Sequence, residues 1–128
     1  MNEIKEYTEK MFENIKHIDE NGNEYWSARE LQNVLQYKEW RKFEGVINKA
    51  KKACENSNIK VFEQFVGSDK LSKRANNTVI KIGDYKLSRY AFSLVAQNGD
   101  SRKEVIALAQ TYFAIQTRKQ ELSKKEYS

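Results

Sequence analysis

Residues 84–122, DYKLSRYAFSLVAQNGDSRKEVIALAQTYFAIQTRKQEL, carry two helices so closely punctuated that they constrain everything around them. Ser88 is placed to cap the first, whose apolar positions are Tyr90, Ala91, Phe92, Leu94, Val95 and Ala96, and Asn98-Gly99 predicts a left-handed exit. Ser101-Arg-Lys-Glu104 then reads as a capping box that opens the second helix, leaving Asn98 to Asp100 as a short corner. At 100° per residue, Val105, Ile106, Leu108, Ala109, Tyr112, Phe113, Ile115 and Leu122 cover about half of that helix's circumference, wider than a one-sided stripe. Two accounts fit this breadth. In one it is the central core helix, between the first helix and a sheet; in the other, Ile106, Tyr112, Phe113 and Ile115 contribute to a seam with a second copy or a partner.

A chain of 128 residues with 39% hydrophobic residues is expected to form one domain with a real core. Its mean hydropathy is −0.86, and no stretch approaches the roughly 18 consecutive apolar residues of a membrane span. The opening MNEIKEYTEK lacks the apolar run of a signal peptide, so no membrane contact and a cytoplasmic location are expected. A single cysteine, Cys54, has no internal disulfide partner and reads as a buried thiol. The one histidine, His17, and Cys54 have no CxxC or HxxxH spacing, which leaves no zinc site and no Cys–His nucleophile pair. GxGxxG, GxxxxGK[ST] and GxSxG are absent, and the carboxylate pairs Glu9/Glu13 and Asp19/Glu20 lie in polar stretches. The expectation is therefore no enzyme, no metal and no cofactor.

The net charge of +5 hides a segregated pattern. Residues 1–35 have four basic residues against eight acidic; residues 36–52 have six against two; residues 53–69 have one against three. Residues 70–89 have six basic residues against one acidic, and residues 90–128 six against four. Positive charge gathered in two blocks is what a surface facing phosphates needs, because each neutralised phosphate releases condensed counterions.

Along the chain, residues 1–12 are polar and acidic and read as a flexible arm. Ile15, His17 and Ile18 lead to Asn21-Gly22 and then Tyr25-Trp26, which predicts a first hairpin. Ser27-Ala-Arg-Glu30 is a second capping box, opening a short helix with Ala28, Leu31, Val34 and Leu35 that ends near Gln36-Tyr37. A third helix, from about Lys38 to Glu55, places Trp40, Phe43, Ile47, Ala50 and Cys54 on one side. Lys38, Arg41, Lys42, Lys49 and Lys52 fall within about 100° of one another on the other side, with Asn48 at the edge and Gly45 in the middle. Short capped helix, tight turn and longer basic helix make a helix-turn-helix-like arrangement. The plainer account is an ordinary solvated helix face.

Asn58 is placed to cap a helical turn with Val61, Phe62 and Phe65, and Gly67 opens a polar stretch. A loop with Lys73 and Arg74 precedes the β-rich Thr78–Ile82, and Gly83 is expected at a bulge or turn before Tyr85–Leu87. A basic loop tip beside a basic helix resembles the wing of a winged-helix protein; a solubilising loop is the plainer account. Past Glu121 the final helix is expected to fray, so 123–128 form a tail.

Three stretches resemble one known family. NGNEYWSARELQNVLQY, WRKFEGVINKAKKACENS and the 84–122 stretch, in order over residues 13 to 122, are similar to the N-terminal part of the DNA-damage-inducible protein D family. That family is related to the BRO N-terminal domain of viral proteins and prophage antirepressors. The resemblance implies an α+β, BRO-N-like domain over 13–122, here read as four or five helices with two short β-hairpins in a helix-turn-helix-like, winged arrangement. It also implies a bacterial or prophage origin, no catalysis, a regulatory role in the DNA-damage (SOS) response, and DNA binding. Members usually continue well beyond this length, so the chain reads either as the N-terminal domain of such a protein or as a short member.

Two functions follow. In the first, Lys38, Arg41, Lys42, Lys49 and Lys52 meet the phosphates of single- or double-stranded DNA, Lys73 and Arg74 reach the backbone from the hairpin, and Arg41 or Asn48 supplies any base readout. In the second, the domain docks antirepressor-like on a repressor or a DNA-repair protein, or on a second copy as a dimer, through the broad apolar helix.

Overall fold

The computed structural model describes residues 9–127. Its elements follow in order: α1 (residues 9–13), β1 (His17–Ile18), β2 (Glu24–Ser27), α2 (Ala28–Val34), α3 (Trp40–Asn56), α4 (Val61–Gln64), β3 (Phe65–Lys73), β4 (Val79–Leu87), α5 (Arg89–Asn98) and α6 (Glu104–Tyr127). The α+β class stands as expected, but there are six helices among the described residues rather than four or five, because residues 9–13 also form one, and the strands of both hairpins join in one antiparallel sheet of order β1-β2-β4-β3.

The first hairpin closes where Asn-Gly predicted it. His17 pairs with Tyr25 and Ile18 with Glu24. The Asp19 carboxylate accepts from the backbone N–H of Asn21 and Asn23, and Gly22 takes φ +81°, the left-handed region a side chain would disfavour. Half of the Ser27 box forms: Ser27 Oγ accepts from the Glu30 N–H, while the Glu30 carboxylate turns away to His17 Nε2 at 2.6 Å. The Ser27 hydroxyl then donates to the Asp84 carboxylate at 2.7 Å.

The second hairpin differs from expectation. The chain turns at 74–78, and Gly83 lies inside a continuous strand opposite Asp69. Nine residue pairs, Phe65–Leu87 to Lys73–Val79, make it long. The sequence 67–73 does not read as a strand because outside the root both faces of the ribbon meet solvent, so no apolar alternation is required. Asn58 does not cap α4; Lys60 holds that position without a side-chain bond, and Asn58 takes φ +60° at the exit of α3.

The central helix is α5, not α6. Five of its ten residues, Ala91, Phe92, Leu94, Val95 and Ala96, are buried, and it packs on α3, α6, β2 and β4. Ser88 caps it as expected, accepting from the Ala91 N–H at 3.0 Å. At its far end Gly99 has φ −77°, so no left-handed exit forms. The glycine serves close approach instead: a Cβ there would lie 2.7 Å from Ile106 Cδ1. Ser101 makes no capping box, because α6 starts at Glu104 and the Asp100 carboxylate accepts from the Arg102 N–H in a preceding turn. α6 runs to Tyr127.

Phe12, placed in the flexible arm by its polar neighbours, is fully buried. Its ring lies 5.2 Å from Phe92 and 5.4 Å from Tyr112, and its carbonyl accepts from Trp26 Nε1 at 3.0 Å. The remainder of the expected arm, residues 1–8, lies outside the described residues. Trp26, Phe43, Phe92 and Tyr112 with Leu31, Leu35, Ile47 and Leu87 complete the core.

Candidate nucleic-acid interface

Burying Phe43, Ile47, Ala50 and Cys54 against α5 turns the opposite face of α3 outward. Arg41, Lys42, Asn48, Lys49 and Lys52 are all exposed there. Lys38 is exposed as well, but it precedes the helix, since Glu39 is the N-cap. The Lys42 ammonium lies 3.5 Å from the Glu39 carboxylate, a solvated pair of little energetic weight. Lys51 belongs to a different side of the helix, donating to the Tyr85 hydroxyl at 3.2 Å. Trp40 is half-buried, stacked 6.5 Å from Tyr85 with the Arg29 guanidinium 3.7 Å from its ring centre. These contacts, and a depression of about 350 Å3 between Glu44 and the strand segments Gly67–Asp69 and Gly83–Tyr85, stand α3 against the middle of the ribbon.

Tertiary structure adds two cations that sequence reasoning missed. Lys38 and Lys42 share a depression of about 480 Å3 with Arg102 and Lys103 from the corner before α6. Lys103 Nζ donates to the Gln36 carbonyl at 2.9 Å and lies 4.9 Å from the Tyr37 ring centre, while the Asp100 N–H donates to the Tyr37 hydroxyl. Arg102 is held by the Asp100 carboxylate at 3.0 and 3.1 Å, and the hydrogen bonds from its side chain and backbone keep that carboxyl below its usual range. The sequence signal was diluted, because residues 90–128 have nearly balanced charge.

Lys73 and Arg74 sit exposed at the ribbon tip, in a turn where Arg74 and Thr78 bond across the base and Asn77 takes φ +66°. They are not adjacent to the α3 cations. Four residue pairs, or about 13 Å at 3.3 Å per residue, separate the Asp69–Gly83 level beside Glu44 from the tip.

Arg89 is committed elsewhere. Its guanidinium grips Glu24 at 2.5 and 3.0 Å and donates to the Tyr112 hydroxyl at 2.8 Å, and that hydroxyl donates to Glu13. Lys16 closes the cluster on Glu13 at 2.6 Å and Glu24 at 3.5 Å. Arg89 holds the Glu24 carboxyl low against the opposing effect of burial. Burial pushes Glu13 up, but hydrogen bonds from Lys16 and Tyr112 and the charges of Lys16 and Arg89 outweigh it, so its carboxyl too lies below its ordinary value. Two carboxylates and two cations neutralise one another here and tie residue 13 to β2, α5 and α6.

Of the four residues expected at a partner interface, Ile106 and Tyr112 are fully buried in this chain's own core. Phe113 and Ile115 are partly exposed, with Phe113 packed edge-on to Phe92 at 4.7 Å. Among the described residues no group of three or more His, Cys, Asp or Glu side chains could hold a metal ion. No helix there is long and apolar enough to cross a membrane.

The class these features define is a small α+β domain whose most distinctive surface is its exposed positive charge. The chain belongs to the BRO family: residues 14–114 match the model of the BRO family, N-terminal domain. Over 115 residues it is 50% identical to DNA damage-inducible protein D of Escherichia coli (strain K12), which covers 90% of this chain and 42% of that relative. The chain thus spans less than half of the relative's length. No solved structure matches.

Proposed function

We propose that this domain binds DNA through the outer face of α3, with Arg41, Lys42, Lys49 and Lys52 on phosphates, Lys38 beside them, and Asn48 or Arg41 reaching base edges. One observation carries the reading. Arg41, Lys49 and Lys52 share one exposed face, and among the described residues none of them has a carboxylate partner. Lys73 and Arg74 extend the contact from the ribbon, and α2, the turn at 35–39 and α3 act as the helix-turn-helix-like unit. Membership of the BRO family and the name of the E. coli relative support a regulatory role in the DNA-damage (SOS) response of a bacterium or prophage. The chemistry required is charge and shape, with no catalytic step.

Anisotropy titration of labelled single- and double-stranded oligonucleotides tests this, with Lys42→Glu/Lys49→Glu beside the parent. Reversing two exposed charges leaves the fold intact and abolishes binding on this account; unaltered affinity in the double variant removes the α3 face as the site. The competing reading, docking on a repressor, a repair protein or a second copy, keeps only Phe113 and Ile115 of its four residues at the surface. It gains the function if no oligonucleotide binds even at low salt.

A further inference from the structure

We infer that the ligand of this surface is double-helical DNA and that the β3–β4 ribbon enters its major groove, with Leu71, Lys73, Val79 and Lys81 facing the bases. The inference rests on the DNA-binding reading above and names which nucleic acid and which element reads it.

The ribbon is built to project. β2 pairs with β4 only at Leu87 and Lys86, and the last lateral hydrogen bond on that edge runs from Arg29 Nε to the Gly83 carbonyl. Beyond it, the Lys70–Ile82 to Lys73–Val79 pairs and the 74–78 turn receive no hydrogen bond from outside the ribbon among the described residues. The outer half of the ribbon is thus held by its own pairing and by its root in the sheet, which leaves its faces open to a ligand. Residues 66–82 hold four basic residues, Lys70, Lys73, Arg74 and Lys81, against Asp69 alone.

Its two faces are unequal. Alternation puts Leu71, Lys73, Val79 and Lys81 on the face that holds Tyr85, the residue stacked on Trp40 of α3. On that face Leu71 is 68% and Val79 56% exposed, and both lysines are exposed. Ile80 and Ile82, on the opposite face, are half-buried. The more open face is therefore the one that continues through Tyr85 onto Trp40 at the start of α3. A ribbon lying in a groove with that side against the duplex sets amines and methyl-seeking aliphatics on base edges and α3 on the bordering phosphates.

Dimensions and chemistry select the ligand. The major groove of B-form DNA, about 12 Å wide, admits a two-stranded ribbon as it stands, whereas the minor groove, about 6 Å wide, admits one only after the duplex is bent and opened. Capture of single strands relies on aromatic platforms for unstacked bases, and between residues 66 and 84 there is no Phe, Tyr or Trp. Double-stranded RNA hides its major groove, which is deep and narrow.

The test uses this chain, its Lys73→Ala/Lys81→Ala and Leu71→Ala/Val79→Ala variants, and four probes: a 30-base-pair DNA duplex, each of its single strands, and the matching RNA duplex. Each variant changes only exposed side chains, and an unchanged melting midpoint shows that it folds. The expected result is DNA duplex bound about tenfold tighter than the other probes, with each variant losing about tenfold on the duplex alone. Methyl green, a major-groove ligand, should compete, and distamycin, which fills the minor groove, should not. Single strands bound as tightly as duplex, variants indistinguishable from the parent, or competition by distamycin alone overturns the inference while leaving DNA binding standing. Failure to bind any probe at low salt overturns the DNA-binding reading itself.

Discussion

Removing the Asp84 carboxylate should detach the ribbon root from α2. The side chain is only 8% exposed, and its two oxygens accept three hydrogen bonds: from Ser27 Oγ at 2.7 Å on Oδ2, and from the Arg29 and Tyr85 N–H groups at 3.0 and 2.8 Å on Oδ1. Asp84→Ala leaves those donors without their acceptor beside a buried wall. Hydrogen bonds to a charged group contribute about 1.5–3 kcal/mol each when deleted singly, and the relief of burying a carboxylate offsets part of the sum. The expected loss is about 3 kcal/mol. For 128 residues at about 2.1 cal/mol/K each, this corresponds to a melting midpoint lower by about 11 °C. Asp84→Asn keeps the oxygen that takes both backbone N–H groups and offers its amide to the Ser27 hydroxyl, so it should cost about 1 kcal/mol. Thermal melting by circular dichroism reads both variants, and hydrogen exchange of the 67–73 and 79–83 amides locates the loosening. An alanine variant within about 0.5 kcal/mol of the parent, or an asparagine variant as weak as the alanine one, would refute the three-bond account.

Three further outcomes follow from local geometry and charge. Gly45 lies inside α3 with nothing within 4 Å of a prospective Cβ, so Gly45→Ala should raise stability by about 1 kcal/mol and the midpoint by about 4 °C; an unchanged or lower midpoint contradicts the helix-propensity argument. Gly99→Ala pushes a methyl within 2.7 Å of Ile106 Cδ1 and 3.3 Å of its Cγ1, and chemical denaturation should show a loss of about 1–3 kcal/mol, relieved by also introducing Ile106→Val. Glu13 and Glu24 have folded carboxyls below their ordinary value of 4.5, so their stabilisation is present above that value and is lost as pH falls through the depressed ones. The Tyr112 hydroxyl is pushed up by burial and by Glu13 from an ordinary 10.0, so its contribution is complete below pH 10.0 and is lost as pH rises beyond it. Burial also pushes the Cys54 thiol up from an ordinary 9.0, so its contribution is complete only below that value, and melting midpoints should be flat from about pH 5 to 9 and fall on both sides; Glu24→Gln should blunt the acid limb, and an acid limb unaltered in that variant removes the cluster as its cause.

The parts of the fold legible in the sequence were those settled within a few residues. Ser27 and Ser88 cap because a hydroxyl before a helix meets its own first turn, and Asn21-Gly22 turns because Gly22 accepts a positive φ. The basic face of α3 was legible for the same reason, since helical period alone separates Arg41, Lys49 and Lys52 from Phe43, Ile47 and Ala50. What the sequence hid was set by partners far along the chain. Phe12 sits among polar residues yet meets Phe92 and Tyr112; Gly99 answers to Ile106; Arg102 and Lys103 join Lys38 and Lys42 only after α5 and α6 fold back. The strand Phe65–Lys73 was illegible because a projecting ribbon has no buried side to write into its pattern beyond its root.

Contact of the α3 face and the ribbon tip with phosphates is read out by the salt dependence of duplex binding. Arg41, Lys42, Lys49, Lys52 and Arg74 on five phosphates, with Lys73 turned to the bases, predict a slope of log K against log salt of about −4.5, reduced by about 2 in Lys42→Glu/Lys49→Glu wherever residual binding is measurable. A slope near zero, or the same slope in the double variant, contradicts the account and returns these cations to ordinary solvated surface.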